Sequence, residues 1–270
     1  MSVALVTGAS RGIGRATALA LADAGLAVGL VARSAGGLDA TRGLVEDAGG
    51  HACAAVADVT DASAVHGAVE TIENEFGPVA VLVNNAGSMR AVGPLWEVDA
   101  DDWWSDVHTS LAGAFNLCRE VVPGMIDRRS GRIVNVTSYA AVRPAPYQTA
   151  YACAKAGLAS LTEALAASLD EYGVRAFSAA PGFTETEMTL SLASSEAGRR
   201  WLPDAGRGRV VAPELSARLI VALATGAADE LNGRFVHTLD DLGELVARVE
   251  EIRRDDLYAP RVRRLPDDAT

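Results

Sequence analysis

The sequence predicts an α/β fold in which a doubly wound parallel sheet of about seven strands carries helices on both faces. Three observations predict it. Short β-rich runs alternate with longer helical patterns. Runs such as Val79 to Val83 are apolar without interruption, as strands buried on both faces must be. Glycines stand where helices should stop and strands begin.

In chain order, strands are expected at Val3 to Thr7, Ala27 to Ala32, His51 to Ala57, Val79 to Asn84, Arg132 to Thr137, Val174 to Ala179 and Arg234 to His237. Between them the apolar spacing gives helices at 13–24, 36–48, 61–76, 100–127, 150–172 and 213–225. Gly25, Gly77 before Pro78, and Gly173 end three of these helices. After the last strand, residues 240–256 place Leu242, Leu245, Val246, Val249 and Ile252 on one face of an extra C-terminal helix. That helix packs on its own subunit or a neighbour, or else it and the Arg-rich end (Arg261, Arg263, Arg264) border the functional site. No linker, repeat or shift in composition divides the chain, so residues 1–238 are read as one domain and 239–270 as a helical extension of it.

Composition excludes several classes of function. No apolar run approaches the ~18 residues of a membrane span, and Met1 to Thr7 enter a strand without a basic leader, so a cytoplasmic protein is expected. Cys53, Cys118 and Cys153 form no CxxC pair, and His51, His66, His108 and His237 are scattered; no metal is expected. A net charge of −11 without a basic, aromatic-lined patch argues against nucleic acid. Of the 24 basic residues only Lys155 is a lysine, all the rest being arginine. A site that keeps an ammonium against that drift needs its compact charge and titratable proton, which guanidinium does not offer.

The first strand runs into Gly8-Ala9-Ser10-Arg11-Gly12-Ile13-Gly14 and then a helix. Three glycines at such a junction let backbone approach a diphosphate, and the helix N-terminus turns its free N–H groups toward the anion. The spacing is TGxxxGxG rather than the commoner GxGxxG, and it makes the sheet a Rossmann-type nucleotide binder. Where many NAD sites place an acid after the second strand, this chain reads Ala32-Arg33-Ser34. Arg33, with Arg11 in the glycine turn, can fork a 2′-phosphate, so the expected cofactor is NADP.

Tyr151 and Lys155 are four apart in the fifth predicted helix and so share a face. A nearby ammonium favours the phenolate and brings a tyrosine toward its working range as an acid or base. Ser138, at the end of a buried strand, can polarise a substrate carbonyl or hold an alkoxide.

These residues resemble one family, the short-chain dehydrogenases/reductases, and within it the group that includes bacterial 3-oxoacyl carrier-protein reductases. The resemblance covers about residues 1–238 and lies in Thr7 to Gly14, Asp58-Val59, Asn84-Asn85-Ala86-Gly87, Ser138, Tyr151 to Lys155 and Pro181-Gly182-Phe183-Thr184-Glu185-Thr186. It implies Tyr151 as proton donor or acceptor, Ser138 as anchor of the substrate oxygen, and Lys155 as partner of the nicotinamide ribose. It further implies Asp58 and Val59 beside the adenine, Asn85, Ala86 and Gly87 at the adenosine ribose and backbone, and Pro181, Gly182, Phe183, Thr184 and Thr186 near the nicotinamide carboxamide. The substrate is then a small carbonyl compound or alcohol, and the assembly a homodimer or homotetramer joined through the helices at 100–127 and 150–172.

The chain also departs from the family. Where an asparagine usually anchors a water behind the lysine, it has Ser110 before Leu111-Ala112-Gly113; Phe177 stands for another asparagine, and Thr238-Leu239-Asp240-Asp241 for Asp-Gly-Gly. The rival to an NADP-dependent reductase is therefore a catalytically impaired, NADP-binding regulatory or scaffold protein. Residues between Thr186 and Pro213, with Met188, Leu192 and Trp201, are expected to roof the substrate pocket, and Trp96, Tyr147 and Gln148 to wall it or to serve as core. Cys153 is read as a packed small residue.

Overall fold

Strands β1 (Val3–Thr7), β2 (Ala27–Ala32), β3 (His51–Val56), β4 (Val79–Asn84), β5 (Gly131–Val136), β6 (Val174–Ala180) and β7 (Phe235–His237) form one parallel sheet. The spatial order is β3-β2-β1-β4-β5-β6-β7. The order reverses between β1 and β4, so the loops that follow those two strands flank a crevice at the carboxyl edge of the sheet. This computed structural model describes residues 1–204 and 210–262. Arg263 and Arg264, and part of the segment between Thr186 and Pro213, lie outside the described residues.

The helices are α1 (Gly12–Asp23), α2 (Ala35–Asp47), α3 (Ala62–Phe76), α4 (Ala100–Val107), α5 (Gly113–Asp127), α6 (Thr149–Leu169), α7 (Glu187–Ser194), α8 (Glu196–Trp201), α9 (Pro213–Ala224), α10 (Leu242–Ala247) and α11 (Val249–Arg254). Alternation along each strand sorts the core into two layers. Ala4 and Val6 of β1 face Leu21 of α1 and Leu223 of α9; Val3 and Leu5 face Ile72 of α3 and Leu117 of α5. β1 and β2 are buried at every position, which accounts for their continuous apolar runs. Among the described residues no helix is long and apolar enough to cross a membrane.

Three predicted elements differ in form. The single helix expected at 100–127 is interrupted by a π-helical turn, His108–Ala112, which separates α4 from α5. The apolar spacing runs through the interruption, so the pattern hides it; such turns are frequent at functional sites. The helix expected at 240–256 is two short ones, broken where Arg248 leaves helical backbone at φ −107°, ψ 21°. Its apolar face survives the break, with Leu245 and Ile252 buried in the core that α1 and α9 share. The segment after Thr186, expected only as a roof, contains α7 and α8, capped by Thr186 and Ser195.

Candidate active site

The glycine-rich end of the crevice follows from how α1 begins. Gly8 and Gly12 take positive φ (64° and 54°), and a Cβ on Gly14 would lie 2.2 Å from the Gly8 carbonyl oxygen, so the turn closes only with glycine there. Ser34, Asp61 and Asp99 cap α2, α3 and α4 with their side chains. Arg11 at the start of α1 makes no such bond, and no acid lies in the first turn. The partial positive charge of α1 and its free N–H groups therefore face the crevice without a counter-charge of the helix's own. Thr7 fastens this turn to the chain after β4: its Oγ1 accepts from the N–H groups of Asn85 and Ala86, each at 3.0 Å. Asn85 Nδ2 in turn donates to the Thr7 carbonyl at 2.8 Å.

From this turn a cleft with a cavity volume of about 450 Å³ runs past Arg33, Val59 and Gly87 to Tyr151 and Lys155. Arg33 stands 3.6 Å from Asp58, and Arg11 pairs with Glu187 at the first position of α7; Asp58 is partly buried and the other three side chains are exposed. Burial pushes the Asp58 carboxyl up, but two hydrogen bonds from Thr60 and the Arg33 charge outweigh it and hold the group below its ordinary value. Exposed pairs of this kind contribute at most ~1 kcal/mol, so both guanidinium groups remain available to a phosphate.

At the other end, Lys155 is 3% exposed; its Nζ donates to the Val136 carbonyl at 2.7 Å and lies 5.6 Å from the centre of the Tyr151 ring. Burial lowers its pKa to about 8. Burial raises that of Tyr151, while a hydrogen bond from the Ser138 hydroxyl draws it back down. Ser138 is fixed in turn by accepting from the Ala140 N–H at 3.2 Å. A Cβ on Gly87 would sit 3.5 Å from Ser110 Oγ and 3.6 Å from Lys155 Nζ, so the serine, the lysine and the cleft wall converge there. Ser110 Oγ and Thr137 Oγ1 are buried without a hydrogen-bond partner. Two orphaned hydroxyls beside a cleft that ends in a buried ammonium suit a polar guest or an ordered water.

Most residues singled out from the sequence gather at this cleft: Gly8, Ser10, Arg11, Gly12, Ile13, Arg33, Ser34, Asp58, Val59, Asn85, Ala86, Gly87, Tyr151, Lys155, Pro181 and Thr186 line it. Others stand behind its wall. Gly14 packs on Gly8, Gly182 on His237, and the Phe183 carbonyl accepts from Val211. The buried Thr184 hydroxyl is within reach of the Pro181 carbonyl and Ser216. Phe177 lies fully buried in the core. Trp96, named as a possible pocket wall, projects into solvent at 83% exposure.

Met188, expected in the roof, lines the cleft together with its neighbour Glu187, and sequence reasoning missed Thr109, which lines it too. It also missed the wholly buried Asp106, whose carboxylate accepts from the Ser88 hydroxyl and the Arg90 and Ala91 N–H groups and so shapes the chain after Gly87. An acid one turn before Ser110 on the same helical face was the available signal.

Beyond Tyr151 the loop before α6 carries a conformational outlier. Tyr147 adopts φ 65°, the left-handed region that costs a bulky residue ~1–3 kcal/mol. Its ring packs on Trp201 of α8 at 4.9 Å between centroids, a contact worth ~0.5–1.5 kcal/mol beyond its area.

A model of the short chain dehydrogenase family matches residues 2–197. The 3-oxoacyl-acyl-carrier-protein reductase of Synechocystis is 40% identical over 227 residues, covering 84% of this chain and 90% of the relative. Levodione reductase superposes with a TM-score of 0.82 at 30% identity, over 91% of this chain and 98% of its own. A variant of actinorhodin polyketide ketoreductase with NADPH gives 0.81 at 31% identity, over 90% and 97%.

Proposed function

The chain belongs to the short-chain dehydrogenase family, and from that premise we propose that it interconverts a ketone or aldehyde and an alcohol with NADP(H), Tyr151 exchanging the proton at the substrate oxygen. It is an oxidoreductase acting on CH–OH and C=O groups. One arrangement carries the finer reading: Tyr151 and Lys155 stand at one end of a cleft whose other end is the uncapped N-terminus of α1.

Those free N–H groups suit a diphosphate, and Arg33 with Arg11 suits a 2′-phosphate. Asp58 and Val59 would flank the adenine, Asn85 to Gly87 the adenosine ribose, and Pro181, Thr186 and the backbone between them the carboxamide. The similar ketoreductase carries NADPH, which supports the choice of cofactor. When bound, the cofactor supplies or takes up a hydride at the substrate carbon.

In the reducing direction Tyr151 gives its phenolic proton to the carbonyl oxygen while the Ser138 hydroxyl hydrogen-bonds the same atom. A raised tyrosine pKa keeps the proton in place until oxygen begins to carry charge. The Lys155 ammonium then stabilises the phenolate, and at about 8 its pKa allows it to return a proton near neutral pH. Ser110, with its free hydroxyl next to Lys155, holds the water through which that proton arrives. The assembly is a homodimer or homotetramer formed through α4, α5 and α6, where Trp104 and Phe115 are exposed.

The test is NADPH oxidation across a panel of ketones and aldehydes by the wild type and Tyr151→Phe. Turnover in the wild type that the variant loses is expected. Full turnover by the variant would refute the assignment of the acid, and tight NADPH binding with no turnover of any carbonyl would favour the regulatory alternative.

A further inference from the structure

We infer that His237 is a positioning residue for the proposed reaction, its imidazole holding two segments of the site in place: the turn that follows Ser138 and the chain from Pro181 to Thr186. The inference rests on the reaction proposed above. His237 ends β7 and is buried. Its ring stacks on that of Tyr139, the residue after Ser138, at 4.6 Å between centroids and 29°. Tyr139 opens a 3₁₀ turn, Tyr139–Ala141, whose Ala141 packs against Ala159, Ala180 and Phe235. The Arg143 guanidinium lies 4.7 Å from the centre of the Tyr139 ring. A Cβ on Gly182 would lie 3.1 Å from His237 Nε2, so the same imidazole abuts the backbone after Pro181. Pro181 lines the cleft, and Ser138 hydrogen-bonds Tyr151. Neither segment can close on β7 without displacing the ring.

The ring is oriented by bonds at its own end of the strand. The His237 N–H donates to the Asp240 carboxylate at 2.8 Å, and Nδ1 accepts from the Leu239 N–H at 3.1 Å. Asp240 belongs to the stretch that departs from Asp-Gly-Gly, so this carboxylate is a feature of the present chain. An amide N–H can only donate, so the neutral ring carries its proton on Nε2, toward Gly182. A second proton must go to Nδ1, where it meets the Leu239 N–H head on and breaks the bond that orients the imidazole. The titratable and charged groups around the ring are Asp240 on its own turn and Tyr139 and Arg143 from the loop after Ser138. Burial, opposed by Asp240 and helped by Arg143, holds the imidazole below its ordinary pKa. The arrangement suits the neutral ring, and acid undoes it.

Kinetics from about pH 5 to 8, with the panel compound that the wild type reduces fastest, test this in His237→Phe and His237→Asn, beside NADP⁺ calorimetry near neutral pH. The phenylalanine keeps a flat ring on Tyr139, the asparagine keeps an acceptor for Leu239, and neither titrates. The wild type should lose kcat through a one-proton limb below about pH 6 with KM little changed, and both variants should lack that limb. Near neutral pH the asparagine variant should lose about tenfold in kcat and the phenylalanine variant less. NADP⁺ affinity should fall about threefold or more in His237→Asn, through the contact with Gly182. Because Tyr139 is exposed, Tyr139→Leu breaks the same stack with little risk to folding, and its loss in kcat should not add to that of His237→Asn. A wild type without the acid limb, a limb unchanged in both variants, kcat within about twofold of wild type in His237→Asn, or additive losses in the double variant would overturn the inference. No turnover of any carbonyl by the wild type, with NADP⁺ affinity still lost in His237→Asn, would sink the reductase assignment alone. Turnover with unaltered kcat and pH profile in the variants would sink this inference alone.

Discussion

The Lys155 ammonium donates a 2.7 Å hydrogen bond to the carbonyl of Val136, the last residue of β5 and two before Ser138. One bond thus ties the buried cation of α6 to the strand that delivers the serine. The chain's single lysine is held in a place that burial makes unfavourable for its charge.

That cost has a sign. With a pKa of about 8 when folded against 10.5 unfolded, Lys155 has released its proton between those values while the unfolded chain still holds one. Stability therefore rises with pH across that window, and at pH 7 the charged form costs ~3 kcal/mol relative to a neutral side chain. Lys155→Met should raise the cofactor-free thermal midpoint at pH 7 by several degrees, less ~1 kcal/mol for the lost bond to Val136, and flatten the rise between pH 8 and 10. Turnover should fall ~10²-fold or more. A lower midpoint in calorimetry would contradict the burial cost.

Tyr151→Phe removes the proton and little volume. A loss of ~10²–10⁴-fold in kcat is expected, with NADP⁺ affinity retained. Stopped-flow turnover alongside calorimetric titration checks both halves.

Arg33→Ala should cost NADP⁺ binding ~10–100-fold and leave NAD⁺ binding unchanged, with the difference shrinking at high salt. Because its pairing with Asp58 is exposed, stability should move by less than ~0.5 kcal/mol. Equal affinity of the wild type for NAD⁺ and NADP⁺ would show that Arg11 and Arg33 do not choose the cofactor.

Ser110→Ala deletes a buried hydroxyl that has no partner, so the thermal midpoint should hold or rise. If the hydroxyl orders the water that serves Lys155, kcat should drop by about tenfold and its pH dependence should shift. An unaltered pH profile would remove Ser110 from the proton path.

Asp106→Ala leaves the N–H groups of Arg90 and Ala91 unpaired near the cleft. A loss of ~3 kcal/mol or more in urea unfolding is expected, with Asp106→Asn recovering part of it.

Much of this was legible in the sequence because it depends on local rules. Gly8, Gly12 and Gly14 mark a turn only glycine can make, and the strands of a doubly buried sheet leave unbroken apolar runs. The spacing of Tyr151 and Lys155 places them on one face of any helix. The π-helical turn at His108–Ala112 was hidden because it preserves the apolar spacing on both sides. The break at Arg248 was hidden because neither glycine nor proline marks it.

What the sequence by itself determined is the chemistry available: a nucleotide turn, one titratable ammonium beside a phenol, and a serine at a strand end. Only the tertiary structure decided which groups meet. Arg11 against Glu187, Ser110 behind Gly87, Asp106 under the chain at 90–91 and Tyr147 on Trp201 join residues 15 to 176 positions apart. No period or cap records such pairs, because they arise where separately folded elements are brought together by burial of the two core layers, a force that is proportional to area and blind to the identity of the polar groups it carries along.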